Sequence, residues 1–201
     1  MHEKAAGTAG YGEKAEILAE QYESIEFEDV YRDVLHLFPH QPGEILDIGA
    51  GSGRDAAALA RKGHAVTAVE PTKELREEGQ LRHPLPNLRW IDDYLPSLPA
   101  TKQGGRSFDL VLLTAVWMHL DMRERKIAMH VIADLLRVKG KIIMTLRHGP
   151  VPEGRQMFDV SAQETVELAG KAGLQVRHVS ERQDMFNRND VRWSIVVLEK
   201  I

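Results

Sequence analysis

The segment Asp47-Ile48-Gly49-Ala50-Gly51-Ser52-Gly53 decides the reading of this chain. It follows a short run of β character, Glu44 to Ile48, and precedes an Ala-rich helical stretch, Arg54 to Lys62, with Gly63 suited to the position after the helix end. Three glycines between a strand and a helix let the backbone turn tightly and let a ligand approach closely. The helix N-terminus behind them offers unpaired N–H groups and a partial positive charge, which favour a carboxylate or phosphate nearby. A glycine turn of this kind also serves plain strand–helix geometry. What adds to it here is Glu70, at the end of the next apolar run (Ala65 to Val69). An acid about 20 residues beyond the turn suits a carboxylate that accepts from ribose hydroxyls. Together these residues point to an adenosine-containing cofactor. The dinucleotide pattern G-x-G-x-x-G fails, because Arg54 stands where its third glycine falls, and no Walker sequence occurs.

Outward from this turn, strands and helices alternate. Pro71 and Thr72 open a helix to about residue 80, Leu88 to Ile91 is a short strand, and residues 95–107 read as loop. Phe108 to Leu113 is a continuous apolar run, the pattern of a strand covered on both faces. Asp121 to Glu124 and Ser161 to Glu164 each spell a capping box. The first helix would place Ile127, Val131, Leu135 and Val138 on one face, and the second would end near Gly173. Lys141 to Leu146, Leu174 to Val179 and Val191 to Leu198 complete the strands. The fold class is therefore α/β, a doubly wound and mostly parallel sheet with helices on both faces. Ligands bind such sheets at the carboxyl ends of the strands, which here means just after residues 48, 69, 91, 113 and 146. Before this region, residues 13–22 and 26–37 have helical periodicity, and residues 1–12 are small and polar, mobile when nothing binds there. The chain divides into an N-terminal helical extension or lid over 1–40 and a main domain over 41–201.

Composition narrows the function. The chain has 201 residues, enough for one domain with a sizeable core, and a formal net charge of -4. Mild acidity argues against broad nucleic-acid binding, which draws on a basic surface to displace counterions. The basic residues around Arg123 to Lys141 interleave with Asp121, Glu124 and Asp134 and read as a solvated helix face. There is no cysteine, so no disulfide, thiolate nucleophile or cysteine-ligated metal is available. No N-terminal apolar stretch reads as a signal peptide and no segment reads as a membrane span, so the expected location is the cytoplasm, away from membranes. His36 and His40 are four apart, but Pro39 breaks the helix that would align them, and no metal site is expected.

The ordered set ILDIGAGSGRDA, AVEP, WIDDYLP and FDLVLLTAVWMHL resembles the class I S-adenosylmethionine-dependent methyltransferases, most of all their small members labelled type 11 methyltransferase domains. The resemblance covers roughly residues 40–200. It implies a Rossmann-like sheet of seven strands whose last strand is antiparallel. It implies S-adenosylmethionine as cofactor and S-adenosylhomocysteine as product. Asp47 and the backbone of Gly49, Ala50, Gly51 and Gly53 would surround the methionine part. Glu70, with Pro71 after it, would hold the ribose. Asp92, or Asp93 beside it, would accept from the adenine amino group. Thr114 and Ala115 would lie near the cofactor's amino group through their backbone. Arg54 would pair with the methionine carboxylate or sit on the helix surface. Tyr11, from the N-terminal lid, would close over the cofactor.

The acceptor is the less constrained half. Leu113-Thr-Ala-Val116 stands where amino-directed nucleic-acid methyltransferases carry an Asx-Pro-Pro-aromatic motif, and cysteine chemistry at a pyrimidine carbon is impossible. With no large insertion, a small-molecule acceptor is expected. Trp117 would form a wall of its pocket and His119 a hydrogen-bond donor or base, or both would pack the next helix. Arg147 and His148 follow the fifth strand and suit an anionic or carbonyl-bearing acceptor, with His148 a second candidate base; a solvated loop is the alternative. Tyr22 would face the substrate or the helix core. Two other functions stay open: methylation of RNA or protein, and a non-catalytic S-adenosylmethionine-binding partner subunit.

Overall fold

In the computed structural model, which describes Thr8 and residues 10–201, strand and helix alternate as the periodicity requires. The elements are α1 (Ala15–Glu23), α2 (Phe27–Val30), β1 (Glu44–Ile48), α3 (Arg54–Arg61), β2 (Ala65–Val69), α4 (Lys73–Arg82) and β3 (Leu88–Ile91). They continue as α5 (Pro99–Gln103), β4 (Phe108–Thr114), α6 (Met122–Leu135), β5 (Leu136–His148), α7 (Ala162–Lys171), β6 (Leu174–Gln183) and β7 (Arg192–Lys200). The seven strands form one sheet in the order β3-β2-β1-β4-β5-β7-β6. β7 runs antiparallel to both its neighbours, β5 and β6, while the pairs from β3 to β5 are parallel. This is the expected doubly wound class, with the strand order reversing between β1 and β4.

Two cores flank the sheet. Alternate residues of the central strands supply both: Leu46, Val111 and Leu113 on one side, Ile45, Leu110 and Leu112 on the other. α6 and α7 cover the first face, and α3 with the N-terminal segment covers the second. Among the described residues no helix is long and apolar enough to cross a membrane.

Four expectations are corrected. The segment 26–37 is not one helix. α2 is a single turn, a 3-10 turn follows at Leu35–Leu37, and Phe27, Val30, Tyr31, Val34 and Phe38 bury together against α3. Successive turns satisfy the same spacing as a helix, so periodicity alone does not separate them. The buried face of α6 is formed by Ala128, Met129, Ile132, Ala133 and Leu135, with Val131 packed beside it as expected, whereas Ile127 is 52% exposed. Val138 lies beyond the helix, 67% exposed. Alanines let the helix approach the sheet closely, and Arg125 on the same face is buried because Leu120 O (2.7 Å), Asp159 O (3.1 Å) and Glu164 (2.9 Å) take its guanidinium. The 95–107 stretch contains α5, opened by a proline at its first position. Of the two capping boxes, Asp121 with Glu124 is complete. At Ser161 only half forms: its hydroxyl accepts from Glu164 N–H (3.0 Å), but the Glu164 carboxylate goes to Arg125 instead. The mobile segment expected at 1–12 falls largely outside the described residues; Gly12–Lys14 form a 3-10 turn leading into α1.

Candidate active site

At the carboxyl ends of the parallel strands lies a cavity of about 420 Å³. Of the residues singled out in the sequence, Asp47, Gly49, Ala50, Gly51, Arg54, Glu70, Pro71, Asp93, Thr114, Ala115, Tyr11, Tyr22, His119 and Arg147 line it. Gly53, Asp92, Trp117 and His148 do not.

The glycine turn forms its floor. Gly51 has φ +58°, a conformation glycine adopts without strain, and a Cβ there would lie 3.3 Å from the Tyr22 ring. Gly51 N–H donates to Glu70 Oε2 (2.9 Å) and Thr72 N–H donates to Oε1 (2.8 Å), so the acid at the end of β2 is tied to the turn at the end of β1. Burial pushes the Glu70 carboxyl up, and these two N–H groups pull it back in part. Asp47 is buried at the end of β1, and its Oδ2 has no hydrogen-bond partner. Burial and the neighbouring Asp55 raise its pKa well above the usual carboxylate range. A buried acceptor left open in this way is matched by a ligand that brings a donor or a positive charge. Gly53 has a different task. A Cβ there would meet the Trp90 ring at 2.7 Å, so this glycine lets α3 and α4 pack around the indole and is not part of the cavity wall.

Arg54 resolves as neither of its two simple readings. Its Nε donates to Asp55 Oδ1 (2.7 Å) and its Nη1 to Tyr22 O (3.2 Å), so it is largely buried, lines the cavity and fastens α1 to α3. The other oxygen of Asp55 accepts from the Tyr31 hydroxyl (2.8 Å) and from Thr114 Oγ1 (2.9 Å). Tyr31 and Thr114 also touch through their hydroxyls. After Thr114 the chain takes a left-handed turn at Ala115, φ +59°, whose N–H donates to Thr145 Oγ1 (2.9 Å). A non-glycine residue held there stores backbone strain at the cavity edge.

The two aspartates after β3 separate. Asp93 lines the cavity, 2% exposed, and accepts from Thr101 N–H, Thr101 Oγ1 and Tyr94 N–H. Asp92 faces outward with its side chain 66% exposed and pairs with Arg76 (3.0 Å). Asp92 is thereby removed as a cavity ligand. Trp117 is fully buried in the core beneath α6, which corrects its reading as a pocket wall. His148 lies where β5 pairs with β7, its Nε2 2.7 Å from Ser194 Oγ, and is corrected likewise.

The N-terminal segment forms the roof. Tyr11 Oη is 3.1 Å from His119 Nε2, and the guanidinium of Arg155 stacks 3.2 Å from the Tyr11 ring centre. Burial lowers the His119 pKa and raises those of Tyr11 and Tyr22. α1 is held down by Glu23, whose carboxylate takes Ser52 Oγ (2.6 Å) and His83 Nε2 (3.0 Å).

Several lining residues carried no sequence signal. Arg155, Met157, Arg182, Met185, Arg188 and Trp193 come from the irregular segment after β5 and from the β6–β7 hairpin. Asp184 there accepts from Arg188 (2.7 Å) and Trp193 Nε1 (2.8 Å), which hold its carboxyl far below the usual range against the burial that raises it. Among the described residues no group of three His, Asp or Glu side chains is placed to hold a metal ion.

Residues 45–140, from β1 into β5, match the family described as a methyltransferase domain. The region from β1 into β5 is thus similar to methyltransferase domains, and the fold is that of the S-adenosylmethionine-dependent methyltransferases. An uncharacterized methyltransferase of Alkaliphilus oremlandii is 28% identical over 102 residues, 51% of this chain and 44% of that protein. The chain spans about half the length of the first curated relatives it matches. The methyltransferase fold recurs in a TehB-like S-adenosylmethionine-dependent methyltransferase from Corynebacterium glutamicum, with TM-score 0.67 and 22% identity over 94% of this chain and 99% of that one. It recurs in the Burkholderia thailandensis 1,6-didemethyltoxoflavin-N1-methyltransferase, with TM-score 0.64 and 21% identity over 94% of this chain and 89% of that one. That structure holds 1,6-didemethyltoxoflavin and S-adenosylhomocysteine.

Proposed function

We propose that this chain transfers a methyl group from S-adenosylmethionine to a small-molecule acceptor in the cytoplasm. The observation that carries the cofactor assignment is the pair of buried carboxylates, Asp47 and Glu70, at the ends of adjacent strands around the Gly51 turn, with one Asp47 oxygen open. The cofactor supplies an electrophilic methyl group on a sulfonium. Glu70 would hold the ribose hydroxyls. Asp47 would take the ammonium end, and Arg54 would add a donor for the carboxylate of the methionine part. The adenine end would run along Pro71 and Leu75 toward Asp93. The carboxylate of Asp93 is committed to its own turn, so the adenine contact there falls to the backbone around Tyr94 and Leu95.

The protein's own task in such a reaction is alignment and exclusion of water. The roof of Tyr11 and Tyr22 over the glycine turn does the second, which gives the segment from Tyr11 through α1 the role of a lid, while Phe27 to Phe38 belong to the core. His119 is the candidate base. Its Nδ1 faces Gln156 O (2.8 Å), a group that only accepts, so the neutral ring carries its proton there, and Nε2, which accepts from the Tyr11 hydroxyl, is the nitrogen that takes a proton once that contact yields to the acceptor. That matters for an acceptor whose attacking atom bears a proton. A small acceptor is supported by the size of the cavity between the lid and the sheet, about 420 Å³. The test is turnover. Release of S-adenosylhomocysteine with a metabolite panel, and none with transfer RNA or peptide pools, is expected; the reverse pattern overturns the acceptor class.

A further inference from the structure

Charge around the cavity is sorted by strand. Two buried carboxylates without an ion-pair partner, Asp47 and Glu70, stand at the ends of β1 and β2, with Asp93 following β3; on the other half Glu124 is taken up by its own capping box and Asp184 by Arg188. The cations without a carboxylate partner stand on the other half of the sheet. Arg147 is at the end of β5, Arg155 in the segment after it and Arg182 near the end of β6. Among the described residues none of the three forms an ion pair, in contrast to Arg54 with Asp55 and Arg188 with Asp184.

Their hydrogen bonding is also incomplete. Arg155 stacks on Tyr11, and its buried Nη1 has no hydrogen-bond partner. Arg182 has its Nε buried without a partner, while its Nη1 touches only the Met185 sulfur (2.7 Å). Arg147 spends one nitrogen on Pro150 O (2.8 Å). A guanidinium presents five donors in a fixed fork, and leaving a buried one unmatched costs roughly 1–3 kcal/mol or more. Two such buried forks, with the part-exposed Arg147 lining the same cavity, are matched by an oxyanion. The walls between them are soft and apolar: Met157, Met185 and Trp193.

Building on the methyltransferase reading, we propose that the acceptor is an amphipathic oxyanion: an apolar, ring-sized body carrying a carboxylate or phosphate that Arg147, Arg155 and Arg182 bind. The cofactor's positive centre and the acceptor's negative one then occupy opposite halves of the sheet, each facing its complement. Arg155 has a second partner in Tyr11, so the anion and the lid meet at one side chain.

The experiment is a titration of the full chain, loaded with S-adenosylhomocysteine, with benzoate, phenyl phosphate and the neutral benzamide, followed by protein NMR shifts. At least one anion is expected to bind about tenfold or more tighter than benzamide, a difference set by the charge alone. The tighter of the two anions identifies the oxyanion. Arg155→Leu and Arg182→Leu each should shrink that preference several-fold, while Arg155→Lys keeps part of it. The affinity for S-adenosylhomocysteine, measured beforehand in the same samples, should change less than about threefold in these variants. Equal binding of benzamide and the anions, or no anion binding at about 5 mM, where a small aromatic fragment of ordinary efficiency binds, overturns the proposal. Failure of S-adenosylhomocysteine itself to bind overturns the cofactor reading, a separate result read before any anion is added.

Discussion

The hydroxyl of Tyr11 and Nε2 of His119, 108 residues apart in the chain, stand 3.1 Å from each other across the mouth of the cavity. With Nδ1–H committed to Gln156 O, the tyrosine is the donor and the imidazole the acceptor. The contact therefore joins the lid to the candidate base only while His119 is neutral.

This gives a pH dependence. Burial lowers the His119 pKa below its ordinary value of about 6.5. The unfolded chain then binds the proton more readily than the folded one between the lowered value and about 6.5. Stability contributed at this site is complete above that window and is lost as the pH falls through it. Following the His119 ring protons by NMR should give a midpoint below 6.5. His119→Ala should lower turnover by about a hundredfold on an acceptor that must lose a proton, with little change in cofactor affinity. A midpoint above 6.5, or unchanged turnover, removes His119 from the chemistry.

Two glycines of one turn should fail differently. Gly51→Val places a branched side chain at a positive φ and against Tyr22, on the cavity floor. It should weaken S-adenosylhomocysteine binding by about a hundredfold or more, at a stability cost near 1–2 kcal/mol. Gly53→Ala drives a methyl group into Trp90 and should cost about 1–3 kcal/mol in stability with a smaller effect on affinity. Thermal melts and titrations of the two proteins separate these outcomes.

Glu70→Ala removes a ligand contact and also strands two backbone donors, on Gly51 and Thr72. The expected loss is about 2–4 kcal/mol of stability together with at least tenfold in cofactor affinity. Glu70→Gln retains an acceptor oxygen and should recover most of the stability but only part of the affinity. If both variants bind the cofactor as the parent does, Glu70 is architectural.

Trp117 provides the opposite control. Trp117→Ala should destabilise the protein by about 3–5 kcal/mol through the cavity left in the core beneath α6. Measured under conditions where the variant is folded, its affinity for S-adenosylhomocysteine should stay within about threefold. A selective loss of acceptor turnover without loss of stability would restore Trp117 to the pocket.

How much of this was legible follows from where each signal resides. Strand–helix alternation, the Gly51 turn and Glu70 are local, because each is set by a few adjacent residues, and all stand where the sequence placed them. The pair Asp92 and Asp93 was ambiguous for a physical reason. Neighbours in an extended segment point to opposite sides, and only the fold decides that Asp93 turns inward and Asp92 meets Arg76. Trp117 and His148 follow the ends of β4 and β5, but one side chain turns down into the core and the other sideways to Ser194. Arg155 and Arg182 were invisible, since they come from an irregular segment and a hairpin and acquire meaning only by converging with Arg147 in space.

The central claim is that the turn between β1 and α3, with Asp47 and Glu70, holds S-adenosylmethionine. Isothermal titration of the full chain with S-adenosylmethionine and S-adenosylhomocysteine, with NAD as control, tests it most directly. The account predicts saturable one-to-one binding of the first two at micromolar levels, about -8 kcal/mol, and none of NAD. Absence of binding by both, or equal binding of NAD, would contradict it.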